Sequence, residues 1–198
     1  MKKFAIYVFV ILFSSIGWSV EKVTPSNVET RILEKIVKND PICTHCNLIV
    51  QKTESPWLKN HDFYEVVTFD ILPPPAWHFA VKGNEILFMD RRKLEDWNKV
   101  ITDEKIKLDS DSKIIDYVKF FLSTTMNQSE FIEKLSQSEI NRIEAKEKKK
   151  IDAEIKISQT DNKIQILFYA HDTQGELQQW NMVVRNNGEI LKLQERSF

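Results

Sequence analysis

Glycine is scarce in this chain, with four in 198 residues, at Gly17, Gly83, Gly175 and Gly188. A phosphate-cradling Walker A loop needs two glycines five positions apart ahead of a lysine and a hydroxyl residue. A dinucleotide fingerprint needs three clustered glycines, because the backbone must approach the pyrophosphate closely. Neither spacing occurs, and no G-x-S-x-G nucleophile elbow occurs either. Cysteine is equally sparse, with Cys43 and Cys46 alone, so the chain is no disulfide-dense scaffold. At this length a hydrophobic core forms without such staples.

Long hydrophobic runs are missing except at the start, MKKFAIYVFVILFSSIGWSVEK. Lys2 and Lys3 form a positive lead, Phe4 to Phe13 is apolar throughout, and Gly17 and Ser19 supply small residues for cleavage before Val20. This pattern predicts a secretory signal peptide over residues 1–19. No Cys follows the apolar run, which disfavours a lipoprotein. The expectation is an exported protein of the bacterial periplasm or surroundings, with no membrane span after cleavage.

An excess of positive charge is also absent. Without Lys2 and Lys3, 26 basic residues face 29 acidic ones, a net of −3. That balance argues against a nucleic-acid binder, whose affinity comes from lysine and arginine on phosphates. It argues equally against an anionic-membrane binder. The basic cluster in EAKEKKK, Glu144 to Lys150, alternates with acids and reads as a solvated helix face.

Periodicity supplies the fold. Ser26 and Glu29 form a capping box, and Val28, Ile32, Leu33, Ile36 and Val37 keep helical spacing until Asn39-Asp40-Pro41. A short apolar run follows at Leu48–Val50, then a loop at 53–60. Phe63 to Leu72 is rich in strand formers, Pro73-Pro74-Pro75 interrupts it, and Trp77–Val81 with Glu85–Met89 forms a hairpin about Gly83. Arg91–Ile101 reads as a helix. A stronger one follows the caps Asp109 to Ser112, with Ile114, Val118, Phe121, Leu122 and Thr125 at helical spacing. Glu130–Leu135 and Ser138–Lys149 read as further polar helices. Four strands then follow, at Ala153–Ser158, Ile164–Ala170, Leu177–Arg185 and Ile190–Glu195, joined by turns at 160–163, 172–176 and Asn186-Asn187-Gly188. The fold class is α+β: an N-terminal helix, central antiparallel strands and helices, and a C-terminal four-stranded antiparallel meander with one wet face. Residues 20–198 are expected to form one domain, with a candidate subdomain break near 102–111.

The chemistry-bearing residues are few. Cys43-Thr44-His45-Cys46 is a candidate disulfide or redox pair. A thioredoxin-like C-x-x-C follows a strand and starts a helix, whereas here a helix precedes and an apolar strand follows. Haem attachment requires a His directly after the second Cys, and Asn47 stands there. A metal centre would have to be assembled from Cys43, Cys46, His45 and His61 to reach four ligands. His78 and His171 lie on strands without a recognisable nucleophile beside them. Asp109, Asp111 and Asp116 lack the central Gly and the twelfth-position Glu of a calcium loop, so helix capping accounts for them. Trp57, His61, Trp77 and His78 bracket the proline segment and form the candidate ligand or partner surface, because aromatics at loops and edges anchor contacts. The reading that follows is an exported, non-enzymatic binding or interaction protein. Its partner would be a protein or small molecule of the cell envelope, and no cofactor is called for. The alternatives are a thiol–disulfide protein using the CTHC motif, a small metal-binding protein or a hydrolase.

Overall fold

The computed structural model describes residues 27–39, 46–71, 75–125, 129–148 and 150–198. The expected signal segment, Ser26 of the expected capping box, and Cys43, Thr44 and His45 lie outside them. The chain divides into two compact units, with the division between Phe88 and Met89. The segment 102–111 lies within the second unit.

In the first unit, helix α1 (Asn27–Asn39) precedes a four-stranded antiparallel meander, β1 (Ile49–Thr53), β2 (Asp62–Val67), β3 (Ala76–Lys82) and β4 (Glu85–Phe88), in sequence order. The helical spacing of Ile32, Leu33 and Ile36 buries all three against one sheet face. That face carries Val50, Tyr64, Val66, Trp77, Phe79, Val81, Ile86 and Phe88. Val37 lies off the stripe and is exposed. β3 is buried from Ala76 through Val81 on both of its faces, so its alternation does not separate a wet side from a dry one. Gly83 takes a left-handed φ of 57° at the β3–β4 turn, as that turn requires.

β4 is an edge strand, and α1 covers its outer carbonyls. Arg31 donates to the carbonyl of Asn84, and Lys35, one helical turn later, donates to that of Ile86. Alternate carbonyls of a strand point the same way, and residues four apart on a helix lie one above the other. The two periods match here, and an open pairing edge is occupied.

The second unit contains α2 (Leu94–Asp103), α3 (Asp111–Thr125), β5 (Glu130–Ile132), α4 (Gln137–Glu147), β6 (Lys156–Thr160), β7 (Lys163–His171), β8 (Leu177–Arg185) and β9 (Ile190–Ser197). Strands β6 to β9 form the expected antiparallel meander. The segment at 130–135, expected as a helix, is instead strand β5 followed by a bridge between Lys134 and Glu154. β5 pairs with Tyr169–His171, while β6 pairs with Lys163–Leu167, so both share one edge of β7.

One face of this sheet holds Ile164, Ile166, Phe168 and Ala170 beside Val184, Met182, Trp180 and Gln178. All eight are buried. α2 and α3 serve that face: Asn98 bonds both backbone groups of Ile190, and Tyr117 reaches Gly188. Trp97 packs between Tyr117, Phe120 and Phe121. The opposite face is covered at one end by α4, whose Ile143 packs with Leu135, Tyr169 and Leu177. Gln165 and Asn181 bond to each other on its remainder, which is the wet part.

Candidate functional site

The most exposed large apolar side chain among the described residues is Phe69, at 69%. Its position follows from local chemistry. β2 stops at Val67 although apolar residues continue, because the buried Thr68 turns the chain out of the sheet. The Thr68 hydroxyl accepts the N–H of Asp70 at 3.2 Å, a short side-chain turn. The Asp70 carboxylate then accepts the backbone N–H of Asn47 at 2.5 Å and its side-chain amide at 3.4 Å. Residues 47 and 70 are thereby tied, and Phe69, between the two anchors, faces solvent. Ile71 and Cys46, the chain neighbours of Asp70 and Asn47, are each partly buried against the α1 core.

This end of the sheet therefore joins the exit of the CTHC motif to the β2–β3 connection. The order of elements is helix α1, motif, then strand β1 at Ile49. No helix begins after Cys46, so the helix N-terminus that lowers a thiol pKa in redox C-x-x-C proteins does not follow this motif.

The four residues expected to share a surface are distributed differently. Trp57 and His61 lie in the β1–β2 loop, Trp57 half-buried and His61 buried. In an antiparallel meander that loop is at the opposite end of the sheet from Phe69. Trp77 is buried in the core under α1. His78, its neighbour on β3, points to the other face, as strand alternation demands.

There His78 closes a cross-strand row. Gln51, Glu65 and His78 are register partners on β1, β2 and β3. The Gln51 amide donates to Glu65 at 2.7 Å, and His78 Nε2 lies 3.6 Å from the other carboxylate oxygen. The His78 imidazole pulls the Glu65 pKa below its ordinary value, burial opposes this, and the Gln51 amide lowers it further. Phe63 stacks on the imidazole with the ring centroids 5.4 Å apart. This row orders a sheet face, and its members are an amide, a carboxylate and an imidazole.

In the second unit His171 Nε2 meets Glu139 at 2.8 Å. Glu139 also accepts the Ser136 hydroxyl at 2.5 Å and the Ser136 N–H at 2.7 Å, and completes the capping box of α4. The order of groups is hydroxyl, carboxylate, imidazole. A nucleophilic triad needs the imidazole in the middle, to take the hydroxyl proton. Here the carboxylate is shared, and the result is a helix cap with a histidine strut. Glu139 is held below its ordinary pKa chiefly by the Ser136 hydroxyl, with the Ser136 N–H and His171 adding to it.

Among the described residues no three His, Cys, Asp or Glu side chains are grouped to hold a metal ion. Asp109 pairs with Lys113 at 2.7 Å, Asp111 starts α3 and Asp116 lies within it, while the hydroxyl that accepts an N–H of the first turn, that of Lys113, belongs to Ser110. No helix among the described residues is long and apolar enough to cross a membrane.

Sequence reasoning gave Phe69, Asp70, Gln51, Glu65 and Glu139 no site role, and used Asn47 only to exclude haem attachment. For Phe69 a signal existed: Thr-x-Asp shortly before a proline run is a turn pattern, and it leaves the middle residue outward. For Gln51 and Glu65 none existed, because their meeting depends on strand register.

Comparison with protein-family models, with curated proteins and with solved structures found no match for this chain.

Proposed function

We propose that the protein is an exported, non-enzymatic binding protein of the bacterial cell envelope. Its protein partner is engaged through the end of the first sheet built from Asn47, Phe69, Asp70 and Ile71. The observation that supports this most is Phe69, held out at 69% exposure by two anchored neighbours. An aromatic side chain presented rigidly loses little entropy on binding and supplies a large apolar contact. The neighbouring backbone is already bonded, so docking need not order it first. The histidines support the same reading, since His78 is tied into a sheet row and His171 into a helix cap.

The test is in-cell photo-cross-linking from position 69, read with fractionation of the cell. The expected outcome is a discrete adduct in the envelope fraction that is absent when the probe stands at Lys192. A cytoplasmic protein, or equal labelling from both positions, overturns the reading. Phe69→Ala should abolish the partner complex and leave stability within about 0.5 kcal/mol, as exposed positions do. Trp77→Ala, in the core, should instead cost about 3–5 kcal/mol.

A further inference from the structure

Trp180 and Gln178 stand two residues apart on β8, on the sheet face that also carries the buried core of the second unit. The Trp180 indole N–H and the Gln178 side-chain carbonyl are both buried, and neither has a hydrogen-bond partner among the described residues. Gln178 is 6% exposed and Trp180 1%. Buried polar groups in proteins are almost always satisfied, and leaving one unsatisfied is costly. A buried donor and a buried acceptor two residues apart on one strand face are therefore a feature that a partner from outside the chain would satisfy.

The surroundings define that partner. The cross-strand neighbours of Gln178 are small, Ala170 on β7 and Ser197 on β9. They leave the amide without bulky flanks in its own row. Phe168, the neighbour of Trp180, stacks with its ring, the centroids 6.3 Å apart. Arg91 lies over the indole at 5.4 Å, and its charge is met by Glu195 at 2.6 Å. The two formal charges cancel, so this pair favours neither an anion nor a cation.

We infer that Gln178 and Trp180 form a binding site for a small neutral molecule with an apolar body and both a hydrogen-bond acceptor and a donor, as in a primary amide. Its acceptor takes the indole N–H. Its N–H donates to the Gln178 carbonyl. Phe168, Ala170 and the indole ring supply the apolar contact, and the Arg91–Glu195 pair borders it. The site uses no residue of the first unit, so it stands or falls separately from the proposed partner surface.

The test uses the full chain with 15N-labelled tryptophan. The chain has five tryptophans, and the Trp180 indole resonance is the one lost in Trp180→Phe. Benzamide is the probe, and acetophenone, which has the same body and acceptor but no N–H donor, is its control. The expected result is a saturable shift of the Trp180 indole resonance by benzamide, with acetophenone at least tenfold weaker. Gln178→Met should erase that preference. Absence of a saturable shift means that bound water alone satisfies the two groups, and it overturns the inference. Equal binding of the two probes means apolar partitioning alone and overturns it too. If Gln178→Met does not fold, the wild-type comparison of the two probes decides by itself. Benzamide binding without a cross-link from position 69 would sink the proposed partner surface and leave this site standing. The converse result would do the opposite.

Discussion

The hydroxyl of Tyr117 donates to the carbonyl of Gly188, 2.6 Å away and 71 residues along the chain. The same oxygen accepts the indole N–H of Trp97 at 2.8 Å. One phenol thus links α2, α3 and the β8–β9 turn in a fully buried place, where burial pushes its pKa far above the usual tyrosine range. Tyr117→Phe keeps the ring and orphans a donor and an acceptor together. The expected loss is about 2–4 kcal/mol, from two buried unsatisfied groups, measured as a fall in the urea midpoint at unchanged slope.

Gly188 is held to glycine for two reasons at once. Its φ is 84°, and a Cβ there would lie 2.7 Å from Cγ2 of Ile101. Gly83 has a φ of 57° and open space around it. Gly83→Ala should therefore cost about 1–2 kcal/mol, the backbone penalty alone. Gly188→Ala should cost roughly 1–3 kcal/mol more from overpacking. Paired thermal melts of the two variants test this, and equal losses would contradict the crowding argument.

Acid should loosen α4 through Glu139. Its carboxyl sits below an ordinary value of about 4.5 in the folded protein, owing first to the Ser136 hydroxyl and then to the Ser136 N–H and His171. A depressed carboxyl contributes stability that is complete above its unfolded pKa and is lost as pH falls through the folded one. The gap in stability between wild type and Glu139→Gln should therefore be widest near neutral pH and shrink below pH ~4.5. Ser136→Ala should cost about 1 kcal/mol at neutral pH, the usual value of a helix cap. Urea titrations across the acid range check both.

The cations of α1 guard the β4 edge. Replacing Arg31 and Lys35 together by Ala uncovers the carbonyls of Asn84 and Ile86. Exposed strand edges pair with other chains. The double variant should self-associate with rising concentration in sedimentation velocity, while an exposed control such as Lys192→Ala stays unchanged.

Most elements were legible because their apolar spacing and their packing agree. β8 matches its expected range, Leu177–Arg185, and the turns at Gly83, Gly175 and Gly188 all use a positive φ. β5 was not legible. Phe131, Ile132 and Leu135 fit a helical face, and the segment becomes a strand only because the β7 edge at Ala170 and Tyr169 is available to it. Tertiary pairing overrode local spacing there. The candidate site was half legible. Aromatics around the proline run drew attention to the stretch that also holds Phe69, but Trp77 is spent on the core and Phe69 is the residue left outside. What decided between them was the Asp70–Asn47 contact, which joins residues 23 apart and has no local pattern.

The shared edge of β7 makes residues 133–155 a detour that starts and ends in one place. β5 enters it and β6 leaves it along the same strand, and its neck is closed by the Lys134–Glu154 ion pair and by the Leu135 N–H on the Ala153 carbonyl. The α4 segment is in effect a cassette. Its length can change without moving a strand of the sheet, provided that whatever replaces it still shields Tyr169 and Leu177 and meets His171 and Arg196 as Glu139 and Glu147 do.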